Sequence, residues 1–383
     1  MAEPEERWRA DAEARLAFLA KPPGALGTLE EWCVTLCVAQ KTLRPTVSAA
    51  ALVFVADHGC KKADSALSPY PASATQAIFR SLAAGVSCAA VLARSVGATL
   101  HVVDVGVDGD VSDVRDRDGI EVHHCKVLPG TSDIRREPAM SEEALDAALR
   151  VGQQQVQVVS CGATVICIGE VGIGNTTSAA CLLAALTGSD AETVCGRGTG
   201  LDDAGLAHKI EVVRAALAHH NLPLTRNALR CVGGLEIAAM VGAYIAMSST
   251  RAVAVVDGFI SGVAALCAIQ MQPSCRSRMI FATSLAEEPS RPGGGAILAE
   301  ALGAKPALDM GLRLGECSAA VLALPLLSAA AALPTAATLD EAMALSPNAP
   351  APAAAADDDD DDGFECLGSV TAEERAAEAR LAA

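Results

Sequence analysis

Short apolar runs closed by turn residues alternate along this chain with longer segments of helical period. The first run is Ala50-Ala51-Leu52-Val53-Phe54-Val55, which ends in Ala56-Asp57-His58-Gly59. Thr99–Val105 closes at Gly106, Ala163–Ile168 at Gly169, and Ala252–Val256 at Asp257-Gly258, and a further strand is predicted at Met279–Thr283. Runs with no polar alternation are what strands covered on both faces show. The helical pattern predicts helices over 5–20, stopped by Lys21-Pro22-Pro23-Gly24, then over 29–40, 73–96, 142–160, 176–187 and 205–218, with an apolar stretch at 235–247. Strands alternating with helices imply an α/β fold built on a parallel sheet. Such sheets bind ligands beyond the carboxyl ends of their strands. Here those ends are Asp57-His58-Gly59, Gly169-Glu170 and Asp257-Gly258.

Two C-terminal segments break the pattern. Cys317–Leu339 carries no charged side chain and is long enough to span a bilayer. It is mostly alanine with Pro325 and Pro334 inside, which favours a buried helix pair. From Ser346 on, prolines among alanines lead into the acidic run Asp357–Asp362, which reads as a solvated, disordered tail with a short helix at 371–381.

Charge narrows the function. The chain has 29 basic and 46 acidic residues, a formal charge of −17, with no basic patch or run in the body or the tail. Aromatic residues are 3% of the 383. Neither the electrostatic footprint nor the stacking platforms of a nucleic-acid binder are present. The fourteen cysteines include no C-x-x-C pair, Cys33 and Cys37 being the closest, so no zinc framework and no metal-ligating set is indicated. The charged, acidic start lacks the apolar region of a signal peptide and is unlike a transit peptide. A cytoplasmic protein with free thiols, and no membrane partner, is expected.

Several constellations carry chemistry. Gly169-Glu170-Val171-Gly172-Ile173-Gly174-Asn175-Thr176-Thr177 leaves a strand and enters a helix, where open backbone N–H groups and the helix terminus favour an anion. It lacks the G-K-[ST] of a P-loop, and a tight turn capped by Asn175 is the plain structural alternative. Gly196-Arg197-Gly198-Thr199-Gly200 with Lys209 either closes the other side of an anion site or is a glycine-rich loop beside a surface lysine. Glu316 enters the uncharged stretch, so desolvation would raise its pKa toward that of a general base; a helix-start glutamate paired with Arg313 is the alternative. Glu236 is a buried partner or a first-turn acid. Asp57-His58 is either a catalytic pair or a turn. Asp257 stands at a strand end without the second acid that diphosphate-binding phosphoribosyltransferases place there.

In order, eight segments resemble one family, the nicotinate-nucleotide:dimethylbenzimidazole phosphoribosyltransferases, over about residues 12–345. They are Lys21–Glu30, Ala56-Asp-His-Gly59, Glu137-Pro-Ala-Met-Ser141, Gly169–Thr177, Gly196–Asp203, Gly233–Met240, Val256-Asp-Gly-Phe-Ile-Ser261 and Leu312-Arg-Leu-Gly-Glu316. The resemblance implies a doubly wound, mainly parallel sheet flanked by helices, with a small helical domain built from 1–40 and 306–345 around a large domain at 41–305. It implies a homodimer that transfers phosphoribose from nicotinate mononucleotide to 5,6-dimethylbenzimidazole with inversion, giving alpha-ribazole 5′-phosphate and nicotinate in cobalamin biosynthesis. Carried over, Glu316 is the general base and Glu170 faces the reacting centre. Ser68 and Gln76 match the benzimidazole pocket, and Gly172, Gly174, Asn175, Thr176 and Lys209 match the region of nicotinate and phosphate. Gly198 and Asp257 join the substrate-binding set. No cofactor is implied, and a donor without a diphosphate requires no magnesium. The chain departs from the family at Cys317-Ser318-Ala319, where glycines are usual, and at Thr283–Gly295, where a histidine is missing. The alternatives are the same fold acting on another base or a phenol, and a non-catalytic nucleotide-binding protein.

Overall fold

The structure, a computed structural model, describes residues 5–222, 224–285 and 293–345. Its centre is a six-stranded sheet: β1 (Ala49–Ala56), β2 (Thr99–Gly106), β3 (Ile120–His124), β4 (Val165–Val171), β5 (Val253–Val256) and β6 (Met279–Phe281). The order is β3-β2-β1-β4-β5-β6 and every pairing is parallel. This is the doubly wound arrangement, with its switch point between β1 and β4. Their register pairs Phe54 with Glu170 and Val55 with Val171, so the ends of both strands open onto one crevice.

The near-continuous apolar runs arise because both faces are covered. Leu52, Phe54, Ile166 and Ile168 point into one core with the helices Glu142–Val159, Asn175–Thr187, Leu235–Met247 and Phe259–Met271. Val53, Val55, Val165 and Cys167 point into the other, under Thr28–Gln40, Ala74–Ala83, Cys88–Ser95 and Leu324–Ala332. Glu142–Val159 and Leu235–Met247 approach backbone to backbone. A Cβ on Gly152 would lie 1.8 Å from the Ala239 carbonyl oxygen, and one on Gly242 would lie 2.0 Å from that of Leu149.

The first described helix meets the segment at 334–338. Arg15 donates to the carbonyls of Pro334 and Ala336, both at 2.9 Å, and Leu19 bridges Thr338. The helices Glu5–Ala17 and Leu324–Ala332 both pack against Thr28–Gln40, and their buried side chains share the second core of the sheet. The chain up to Thr338 is one compact unit, and the Leu339–Ala344 helix falls outside it.

Some elements differ from expectation. The helix expected over 73–96 is two, Ala74–Ala83 and Cys88–Ser95, because Gly85 turns the backbone left-handed (φ 73°) and Ser87 caps the second by accepting from the Ala90 N–H at 3.1 Å. Each piece is too short to cross a bilayer, although the Ala74–Ser95 stretch is apolar enough. Cys317–Leu339 does form paired short helices, Ser318–Leu322 and Leu324–Ala332, with most apolar side chains buried. Strand β3 and the helices Thr225–Val232 and Phe259–Met271 were not foreseen. The tail, with its expected helix at 371–381, lies outside the described residues.

Candidate active site

The site grows from the end of β4. Glu170, its penultimate residue, is buried, and the chain then turns through Gly172 and Gly174 into the Asn175–Thr187 helix. Gly172 is obligatory here, because a Cβ would lie 2.5 Å from the Ala56 carbonyl oxygen at the end of β1. Gly174 caps the helix with φ 102°, a left-handed value that glycine adopts without strain. The loop is pinned by the Ile173 N–H donating to Thr75 Oγ1 at 3.2 Å, and Asn175 Nδ2 donates to Glu170 Oε2.

A second segment lies across it. Gly315 sits so close to Glu170 that a Cβ would be 2.5 Å from Oε1. The Glu316 N–H donates to the Glu170 carbonyl at 3.0 Å. Glu316 and Cys317 both take left-handed backbone, φ 60° and 70°, which is uncommon for side chains of this size. A glycine would adopt that conformation freely, whereas Cys317 holds it while fully buried. Behind this turn Asp257, just past β5, accepts from the Ala320 N–H at 2.8 Å. Three strand ends and the 312–320 segment thus converge.

The electrostatics are unusual for so acidic a site. Burial raises the Glu170 carboxyl well above the ordinary range, and the nearby charges of Glu236, Asp257 and Glu316 push it the same way. Burial carries Asp257 up to about 7, against the opposing hydrogen bonds from Ala320, Ala319 and Cys317. Burial also raises Glu316, opposed by a hydrogen bond from the Ala89 backbone, and its Oε2 has no partner. Like charges confined to one desolvated region cannot all ionise together, so the protonated form of Glu170 is favoured relative to an open glutamate.

The glycine cluster at 196–200 completes one wall. Lys209 is fully buried, not a surface lysine, and its Nζ donates to Thr176 Oγ1 and the Gly196 carbonyl, both at 3.0 Å. Gly198 (φ 53°) abuts Thr176, and Thr199 Oγ1 lies 3.2 Å from Ser68 Oγ. A buried ammonium behind the start of a helix makes this wall the electropositive side of the site.

Between the walls is a cleft with a cavity volume of about 160 Å³. Of the residues singled out in the sequence, Glu170, Gly172, Asn175, Thr176, Gly198, Asp257 and Glu316 line it together. Gly174, Lys209 and Ser68 lie one layer back, supporting the loop, Thr176 and Thr199 respectively. Gln76 does not reach the cleft: its Nε2 donates to the Asp110 carbonyl at 2.7 Å, and Ile78 on the same helix lines the pocket instead. Asp57 and His58 are not on its wall either. Asp57 accepts from the Asp108 N–H at 2.8 Å, and His58 is sealed between Glu236 Oε1 at 2.7 Å and Ser178 Oγ at 3.0 Å. Glu236 is therefore a buried partner. Sequence reasoning missed the apolar lining of Ile78, Phe259 and Leu314 and the hydroxyls of Thr283 and Ser284. The one available signal was position, since Phe259 and Thr283 each follow a strand end.

The cleft thus offers a partly buried carboxylate with one free oxygen, a second, buried acid with a raised pKa, an apolar slot and an electropositive wall. Comparison with known proteins matches the chain to a phosphoribosyltransferase family profile over residues 1–343. A nicotinate-nucleotide–dimethylbenzimidazole phosphoribosyltransferase of Pseudomonas putida is 44% identical over 329 residues, covering 84% of this chain and 90% of that protein. The one from Xanthomonas oryzae pv. oryzae is 42% identical over 335 residues, covering 86% and 92%. The crystal structure of CobT from Thermus thermophilus superposes with a TM-score of 0.80 at 36% identity, covering 88% of this chain and 98% of that one.

Proposed function

The chain belongs to the nicotinate-nucleotide–dimethylbenzimidazole phosphoribosyltransferase family, and on that premise we propose that it transfers phosphoribose from nicotinate mononucleotide to 5,6-dimethylbenzimidazole. The observation that carries this reading is the pairing of Glu316, with its partnerless buried oxygen, and an electropositive wall across one cleft.

The chemistry suits these residues. The glycosidic nitrogen of the donor is already cationic, so nicotinate leaves with the bonding pair and needs no acid. A benzimidazole nitrogen attacks C1′ from the opposite face, which inverts the anomeric centre. The new bond makes the attacking ring cationic unless its other N–H is lost, and Glu316 Oε2 accepts that proton. General-base help of this kind supplies about 10²–10⁴-fold. Holding donor and acceptor in line supplies much of the rest. The 5′-phosphate is assigned to the wall of Gly172, Asn175, Thr176 and Gly198, backed by Lys209. The acceptor ring is assigned to the slot beside Ile78, Phe259 and Leu314. Glu170, its carboxyl raised by burial and by neighbouring acids, presents less negative charge to an anionic donor than an open glutamate would.

We further place the enzyme in the cytoplasm as a homodimer. The thirteen described cysteines form no disulfide, as in a reducing compartment, and the dimer rests on the family likeness.

Chelator-treated protein incubated with nicotinate mononucleotide and 5,6-dimethylbenzimidazole tests the function. Nicotinate and a new ribotide in equal amounts are expected. Bound donor with neither product would overturn the assignment of the acceptor.

A further inference from the structure

On the sheet edge farthest from β6, three side chains converge outside the active site. His101 of β2 and Glu121 of β3 are register partners in a parallel pair and so project to the same face, as does His123 two residues along β3. His101 Nδ1 lies 3.2 Å from His123 Nε2 and 3.5 Å from Glu121 Oε2, and the third separation, His123 Nε2 to Glu121 Oε2, is 3.9 Å. Ligands held at about 2.0–2.2 Å around a tetrahedral zinc ion stand about 3.3–3.6 Å apart. The three atoms therefore sit close to the corners of such a site. His101 is buried, His123 half-buried and Glu121 exposed, so the face opens to solvent at the position a fourth ligand would take.

Two further observations support a cation here. His101 Nε2 lies 3.4 Å from Thr99 Oγ1, a hydroxyl that can accept from it in the tautomer whose Nδ1 lone pair faces the other two atoms. This is the outer-shell partner that ligating histidines have. Moreover, in that tautomer and with both imidazoles neutral, at most one proton lies among His101 Nδ1, His123 Nε2 and Glu121 Oε2. A simple hydrogen bond between the rings uses that proton and leaves the exposed Glu121 carboxylate to solvent, whereas a cation among the three engages all of them at once.

We propose that His101, Glu121 and His123 form a binding site for one divalent transition-metal ion of the zinc type. The site clips the edge strand β3 to β2. The β2–β3 register starts at Ile120, just before these ligands, and the active-site cleft lies on the opposite side of β1, among residues 170–176, 257–260 and 312–319. Transfer chemistry takes no part in it. Cysteine spacing could not reveal the site, because its ligands are histidines and a glutamate brought together across two strands.

Cobalt(II) titration of the full-length, chelator-stripped protein under reducing conditions tests this. Nitrogen and oxygen ligands give visible ligand-field bands without the intense near-ultraviolet charge transfer of thiolates, which separates this site from the cysteines. One equivalent with that signature is expected, displaced by zinc. The bands should vanish in His123→Ala, a half-buried edge position. In Thr99→Val the affinity should fall about 10-fold or more. Phosphoribosyl transfer should persist in both variants. Absence of the bands, thiolate bands alone, or wild-type cobalt binding by His123→Ala would overturn the proposal.

Discussion

The main-chain N–H of Glu316 donates to the main-chain carbonyl of Glu170 across 3.0 Å, tying the loop that carries one carboxylate to the strand end that carries the other. The tie lies at the switch-point side of the sheet and holds Glu316 in left-handed backbone at the edge of the cleft. Local rigidity, not sequence proximity, sets the two acids into one site and lets burial separate their roles.

That separation fixes a pH dependence. Burial raises Glu316 above the 4.5 of an open glutamate. A base works only when ionised, so turnover falls as pH drops through that raised value. The acid limb of kcat should lie above pH 4.5, and it should disappear from the residual activity of Glu316→Gln. A limb at or below the ordinary value would place the titrating group elsewhere.

Lys209 offers a test of the anion wall. A hydrogen bond involving a charged group is worth about 1.5–3 kcal/mol, or roughly 10–100-fold. Lys209→Met should raise KM for nicotinate mononucleotide by about that factor with a smaller change in kcat. The donor lacking its 5′-phosphate should be used equally poorly by both proteins. An equal loss with both donors would show that Lys209 does not serve the phosphate.

Folding stability should carry the mark of Asp257. Its carboxyl is pushed up to about 7 in the fold, from 3.8 in an open chain. Between those values the folded state keeps a proton that the unfolded state has released, so stability falls as pH rises through the window and levels off above it. For one independent group the ceiling is on the order of 4 kcal/mol. Asp257→Asn is neutral throughout, so its Tm should decline less than wild type between about pH 5 and 7.5. Parallel Tm curves for the two proteins would refute this origin of the slope.

The contact between Glu142–Val159 and Leu235–Met247 depends on glycine. Gly242→Ala forces a methyl group to within 2.0 Å of the Leu149 carbonyl oxygen unless the helices separate. A loss of about 1–3 kcal/mol is expected in denaturant unfolding. Gly162→Ala, at an exposed glycine with nothing within 4 Å, should stay within about 0.5 kcal/mol.

Legibility in the sequence followed physical environment. β1, β2, β4 and β5 were readable because alternate residues such as Leu52 and Val53 enter opposite cores, leaving no polar gap in the run. β3 escaped notice because it is an edge strand carrying Glu121, His123 and His124, with only Ile120 fully buried. The Phe259–Met271 helix is buried on almost every side and shows no amphipathic period. At the site, the glycine turns and Glu316 stood out by residue type and by their order along the chain. The lining by Leu314, Thr283 and Ser284 did not, since nothing in their local pattern marks which loop folds over which strand end. Gln76 shows the reverse limit: it matched a family position, yet its side chain is turned to the Asp110 carbonyl.

The central claim is that Glu316 removes the acceptor's proton while other groups hold the donor. Turnover and donor affinity measured together in Glu316→Gln address it most directly. The account predicts a fall in kcat of about a hundredfold or more, with nicotinate mononucleotide bound as in wild type. Near-normal turnover in that variant would contradict it.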